Sequence, residues 1–194
     1  YTLDYDLRDR KYQTKEGIRS VFGQSIPLLS DDYALSNSYE ITKWHQFEND
    51  MIADINFYGK MINSINDENV RVSSRLNLSS SKLRGFETGK LGPVDGTDYV
   101  GGNYAVALNM STTLPMVLES FENIDLKYFI DAGNVWGVDY SDTVNDANTI
   151  RSSTGLAVNW FTPIGPMSFS FAQNLSKAST DKVESFQFNI GTSF

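Results

Sequence analysis

The chain has 194 residues, 40% hydrophobic and 13% aromatic, with a formal net charge of −8, so it is long enough for one domain and too apolar to be disordered. An acidic chain repels phosphate backbones, which argues against nucleic-acid binding. Cysteine is absent, which removes disulfides, thiolate zinc sites and thiol nucleophiles together.

Long segments alternate with period two, the mark of strands with two different faces. Residues 1–9 set Tyr1, Leu3, Tyr5 and Leu7 against Thr2, Asp4, Asp6 and Arg8. Residues 15–28 carry Ile18, Phe22, Ile26 and Leu28 on one parity. Residues 34–47 are the weakest strand, because Lys43 falls among Tyr39, Ile41, His45 and Phe47. The Glu48-Asn49-Asp50 turn leads to 51–61, with Met51, Ala53, Ile55, Phe57 and Met61 on one face. A segment without sustained strand pattern covers 64–99. Residues 100–114 then place Tyr104, Val106, Leu108 and Met110 opposite the small or polar Ala105, Ala107, Asn109 and Ser111. Residues 122–136 set Ile124, Leu126, Tyr128 and Ile130 against Asp125, Lys127, Phe129 and Asp131. Three more strands are predicted: 150–161, 167–175 and a final one with Phe186, Phe188, Ile190 and Phe194 on one face.

Short connections near 9–14, 48–50, 115–121 and 162–166 alternate with mostly longer, polar ones near 29–33, 64–99, 137–149 and 176–182. This is the order of an up-and-down antiparallel wall. No apolar run reaches the ~18 residues of a membrane helix. The mean hydropathy of −0.32 nevertheless suits a membrane barrel, whose strands turn every second residue to a polar lumen. A soluble β-sandwich or lipocalin-like barrel shares the alternation. Aromatics near strand ends (Tyr1, Tyr12, Trp136, Trp160, Phe161, Phe194) and charges inside strands (Asp54, Lys60, Asp125, Lys127, Asp131) favour the membrane form. No signal peptide precedes the alternation at Tyr1, which predicts a processed or truncated start.

The 64–99 segment is too long for a structureless connection unless it is functional or disordered. Its centre, 82–93, holds Leu83, Arg84, Gly85, Phe86, Gly92 and Pro93. The segment resembles the in-folded loop of the BamA family of outer-membrane assembly factors. Four further pieces follow in the family's order: Gly101 to Asn103; Phe129 to Trp136; Arg151 to Gly155 with Trp160 to Pro166; and Phe186 to Phe194. The resemblance is specific over 82–194 and loose over 1–81.

The resemblance implies an all-β, antiparallel up-and-down transmembrane barrel segment. Its roughly nine strands belong to a barrel of about sixteen, with residues 1–194 as the C-terminal part and the loop folded into the lumen. It implies that Arg84 pairs with Asp131, since a guanidinium matches a carboxylate bidentately. Many relatives carry a second acid where Ser111 stands, so Ser111 is expected on the wall facing Arg84, with Asp125 as an alternative contributor. The strand with Phe186, Phe188, Ile190 and Phe194 is expected to be a lipid-facing signal strand at a lateral seam, softened by Gly191. The implied activity is insertion of unfolded outer-membrane protein clients into the bacterial outer membrane. Lipoprotein partners would engage periplasmic repeats upstream. Related translocation barrels and a passive porin-like channel are the alternatives.

Catalytic signals are weak. His45 is the sole histidine, and no serine sits in a Gly-x-Ser-x-Gly elbow. Asp139, Asp142 and Asp146 lack the ordered glycine and closing glutamate of a calcium loop. Residues 85–92 lack the ending of a phosphate loop. No enzyme activity, metal or cofactor is expected.

Overall fold

The computed structural model describes residues 1–27, 33–66, 68–115, 123–144, 146, 148–163 and 165–190. Nine strands form one antiparallel sheet in chain order: β1 (Thr2–Asp6), β2 (Gly17–Ser25), β3 (Ala34–Gln46), β4 (Ile52–Ser64), β7 (Tyr104–Thr113), β8 (Ile124–Trp136), β9 (Arg151–Thr162), β10 (Gly165–Ser176) and β11 (Phe186–Ile190). The short strands β5 (Val94–Asp95) and β6 (Asp98–Tyr99) make a separate hairpin. Every neighbour in the large sheet is also a neighbour in sequence among its strands, which is the up-and-down order. β1 and β11 form its two edges. The expected Leu28, Ile164, Gly191 and Phe194 lie outside the described residues.

The seven inner strands of the large sheet, β2 to β4 and β7 to β10, run 9 to 13 residues, which meets the ~9–11 needed by a tilted spanning strand. Their register lines up apolar residues across one face. Ile41 pairs with Phe57, Phe57 with Leu108, and Tyr128 with Leu156; Leu156 meets Phe171, which meets Phe186. These side chains are exposed except Ile41, which is half-buried. We call this the outward face. A large apolar surface left open on one side of a sheet is what lipid, not water, covers.

The other face carries the core. Segment 65–103 returns across it, and Leu76, Leu78, Leu83, Phe86 and Leu91 pack on Ile62, Ala105, Ala107 and Val135. Small wall residues make room. A Cβ on Gly133 would stand 2.9 Å from the Val106 carbonyl oxygen and 3.0 Å from Leu78 Cδ1, so a larger residue there would push the loop off.

Two boundaries differ from the sequence reading. β1 ends at Asp6, because Asp9 accepts the Lys15 and Glu16 N–H groups at 3.0 and 3.2 Å and begins the turn. The loop begins after Ser64 and is not structureless. It contains a 3-10 turn at Val72–Ser74, the β5–β6 hairpin and a bridge between Leu76 and Gly102.

Candidate functional site

The centre of the loop is held on the inward face by pairs that reach from β3 to β11. The middle one joins Arg84 to Asp131. Arg84 Nε donates to Asp131 Oδ2 and Nη2 to Oδ1, both at 2.7 Å, and the Arg84 N–H adds a bond to Oδ2 at 3.1 Å. The Asp131 side chain is fully buried. Phe129, two residues earlier on the same face of β8, lies under the guanidinium with its ring centroid 3.6 Å from Cζ. Bidentate pairing and a ring beneath the plane together fix the guanidinium in position and orientation.

Ser111 is not part of this pair. Its hydroxyl donates to Asp54 Oδ1 at 2.6 Å, beside Lys127 Nζ at 2.9 Å from the same oxygen. Register gives the reason: Ser111 stands opposite Phe129 and Asp54, whereas the residue opposite Asp131 is Asn109. Asn109 Nδ2 donates to Asp131 Oδ1 at 2.8 Å and to the Lys82 carbonyl at 2.9 Å. A neutral amide therefore supplies the fourth bond to the carboxylate. Asp125 is not among the hydrogen-bond or ion-pair partners of Arg84.

Next to the arginine, the backbone itself is read. The Arg84 carbonyl accepts from Ser153 Oγ at 2.6 Å, and the Gly85 carbonyl from Asn174 Nδ2 at 2.9 Å. Gln187 takes both ends of the following peptides: its Oε1 accepts the Gly85 N–H at 3.2 Å and its Nε2 donates to the Phe86 carbonyl at 2.7 Å. Gly85 has φ +88°, and a Cβ there would stand 2.9 Å from that of Ala172, so this approach requires glycine. Phe86 is buried in the core cluster with Leu78, Leu83 and Leu91 and forms a bridge with Val183. Gly92 lies against Val135, and Pro93 is buried.

Three other charged ties went unnoticed in the sequence. Lys82 Nζ pairs with Glu40 of β3 and sits 5.1 Å from the Tyr58 ring centroid. Arg75, its side chain fully buried, pairs with Asp139 and donates to the Val70 carbonyl at 3.0 Å and to Asn103 Oδ1 at 3.1 Å. Burial raises the Asp139 carboxyl, but the Val70 N–H, the Asn103 amide and Arg75 outweigh it and hold the group below the ordinary carboxylate range. Arg151 and Asp181, both fully buried, form a second bidentate pair with two bonds of 2.9 Å. A lone arginine, in a loop as Arg75 or at a strand start as Arg151, gives no signal of its burial; only the two acids in polar loops hinted at partners. Among the described residues no group of three or more His, Cys, Asp or Glu could hold a metal ion.

Of the residues that end the chain, Phe186, Phe188 and Ile190 are exposed on the outward face of β11, and Phe188 stacks on Phe169 at 4.8 Å. Gln187, between them, points inward to the loop.

The chain matches the Omp85 superfamily domain over residues 1–194. It is 34% identical over 139 residues to the outer membrane protein assembly factor BamA of Neisseria meningitidis serogroup B, covering 58% of this chain and 17% of that protein. The BamA of Neorickettsia risticii is 30% identical over 130 residues, 66% of this chain and 17% of that protein. A SAM50-like protein of Schizosaccharomyces pombe is 30% identical over 145 residues, 69% of this chain and 30% of that protein. The crystal structure of BamA from Haemophilus ducreyi lacking POTRA domains 1–3 superimposes with a TM-score of 0.84 at 25% identity, over 96% of this chain and 40% of that one. The chain thus spans about a sixth of the length of the two BamA relatives.

Proposed function

The chain belongs to the Omp85 superfamily, and from that premise we propose that residues 1–194 are the C-terminal part of the barrel domain of an outer-membrane protein assembly factor. In this reading the protein resides in the bacterial outer membrane and acts without cofactor or catalysis. It accepts unfolded outer-membrane clients at a strand edge and helps them enter the bilayer. Strand addition to an open edge is an established recognition mode. Lipoprotein partners would bind upstream repeats.

The observation that carries the reading is the loop tied to the inward face through Arg84 and Asp131. A passive channel needs an open lumen, whereas here Leu78, Leu83 and Phe86 of the loop form the core with the wall. The loop also holds β11 from inside through Gln187, so it joins one edge strand to the middle of the sheet. In this arrangement Leu83 to Phe86, with Gly92 and Pro93, set the loop's position, Asp131 receives it, and the outward aromatics of β11 face lipid.

The test is complementation. In cells depleted of the native protein, the full-length protein with Arg84→Ala or Asp131→Ala is expected to leave clients unassembled, while wild type restores them. Normal assembly by both variants, with ion conductance that ignores the loop, would point to a channel instead.

A further inference from the structure

We propose that the outward face of β3, β4, β7 and β8, near the short turns, binds one anionic phospholipid with its phosphate at Lys43 and an acyl chain in the groove beside it. The proposal rests on the reading that this face meets lipid. Two adjacent rows of the sheet form the site. In one, Lys43 pairs with Ile55, Ile55 with Met110, and Met110 with Ile130. In the next row toward the turns, Ala53 is flanked by His45 and Thr112, and Tyr128 follows. Ala53 is the smallest side chain of either row. Its shortness leaves a groove of about 360 Å3 lined by Ile55, Met110, Tyr128 and Ile130.

The charge pattern selects the ligand. The register places the other acidic and basic side chains of the strands inward: Asp4 and Asp6 beside Arg19, Asp54 beside Lys127, and Glu40, Lys60, Asp125, Asp131 and Arg151 on the same parity. Lys43 is the sole Asp, Glu, Lys or Arg on the outward face among the described residues of the nine strands. It is exposed and makes no ion pair among the described residues. A carboxylate that touches the groove lining, Glu16, is tied to other partners than Lys43: its Oε1 lies 3.0 Å from His45 Nδ1, at the turn side of the groove, and accepts the Gln46 N–H at 2.9 Å. A cation on a lipid-facing wall is unfavourable unless it reaches the interface or an anion. Lys43 stands three residues from the end of β3, about 10 Å of strand, and its long stem can lie along the groove while its ammonium turns to the headgroup level. A phosphate there neutralises the charge, and an acyl chain fills the space above Ala53.

The full-length protein is reconstituted in nanodiscs of phosphatidylcholine with a minor share of phosphatidylglycerol, and retained lipid is counted by native mass spectrometry. Wild type is expected to retain phosphatidylglycerol selectively, and Lys43→Gln to lose about five-fold of that retention, the effect of one basic residue at an anionic surface. Lys43→Arg should keep it, and Ala53→Phe, which fills the groove, should lower it. Excess inorganic phosphate should not compete. Unchanged retention in Lys43→Gln or Ala53→Phe, or displacement by inorganic phosphate, overturns the site. Wild-type protein that fails to enter the discs overturns the membrane reading and this site with it.

Discussion

Arg84 gives Asp131 three hydrogen bonds, two from the guanidinium at 2.7 Å and one from its own backbone at 3.1 Å. The same carboxylate thus fixes both the side chain and the main chain of one loop residue. Asn109, directly opposite on β7, supplies the fourth bond. Because one acid suffices when a neutral amide fills its last site, the serine at 111 leaves no gap in the anchor.

Arg84→Ala is expected to release the loop centre. It leaves a fully buried carboxylate with no cation, only the Asn109 amide and the backbone N–H of residue 84, and breaking a buried pair in this way costs about 3 kcal/mol or more. Arg84→Lys should recover only part, because an ammonium cannot reproduce the fork or lie flat on Phe129. Limited proteolysis over residues 79–93 checks this. Cleavage of Arg84→Ala at the wild-type rate would mean that the anchor does not hold the loop.

Gln187 offers an independent test on the opposite strand. Gln187→Ala removes the partners of the Gly85 N–H and the Phe86 carbonyl. Buried backbone groups left unpaired cost about 1–3 kcal/mol. Hydrogen exchange at Gly85 should accelerate by about ten-fold or more, the equivalent of at least ~1.4 kcal/mol, while exchange at the far end of the sheet, in β2, stays unchanged.

How much of this was legible beforehand follows from periodicity. The strand parities were readable wherever apolar residues alternate, so the inward placement of Asp131 and the outward placement of Phe186 and Phe188 could be read residue by residue. β3 was weak because Lys43 breaks its apolar row, and that break is the point of chemical interest on the outward face. Register between strands was not readable, since a pattern of period two fits every even shift equally. Ser111 is therefore expected to face Arg84, whereas the register puts Asn109 beside the pair. Arg75, Arg151 and Gln187 were unreadable for another reason: Arg75 lies in the returning loop itself, and the burial of Arg151 and Gln187 is created by the returning loops, not by the strands that carry them.

The Arg75–Asp139 tie predicts acid sensitivity at the junction between loops 65–103 and 137–150. The folded value of the Asp139 carboxyl is lowered, so its stabilising contribution is fully present above the ordinary value of about 3.9 and is lost as pH falls through the lower folded value. Exchange at Val70, whose N–H donates to Asp139 at 2.9 Å, should rise below pH ~4 beyond the intrinsic pH effect. Asp139→Asn should remove that extra dependence. An identical pH profile in the variant would assign the acid response to other carboxyls.

Arg151 and Asp181 separate the presence of a buried pair from its value. Each side chain is fully buried, and the pair is bidentate at 2.9 Å. Arg151 also donates to Asn134 and the Thr149 carbonyl, and Asp181 accepts the Ala178 N–H at 2.6 Å. Removing one partner strands the other charge without water, so Arg151→Met or Asp181→Leu alone should lose about 3–5 kcal/mol. The double variant replaces both charges with apolar groups of similar length and leaves no ion unpaired. It should therefore be more stable than either single variant, with a coupling of about 2 kcal/mol or more between the sites. Because Asp181 lies in the segment whose Lys182 and Glu184 backbones bond to the loop at Lys90 and Gly85, the single variants should also loosen residues 85–90. A double-mutant cycle on thermal unfolding of the reconstituted full-length protein, read with exchange over 85–90, tests both effects. Additive losses would show that the two charges act separately, through their backbone and amide partners.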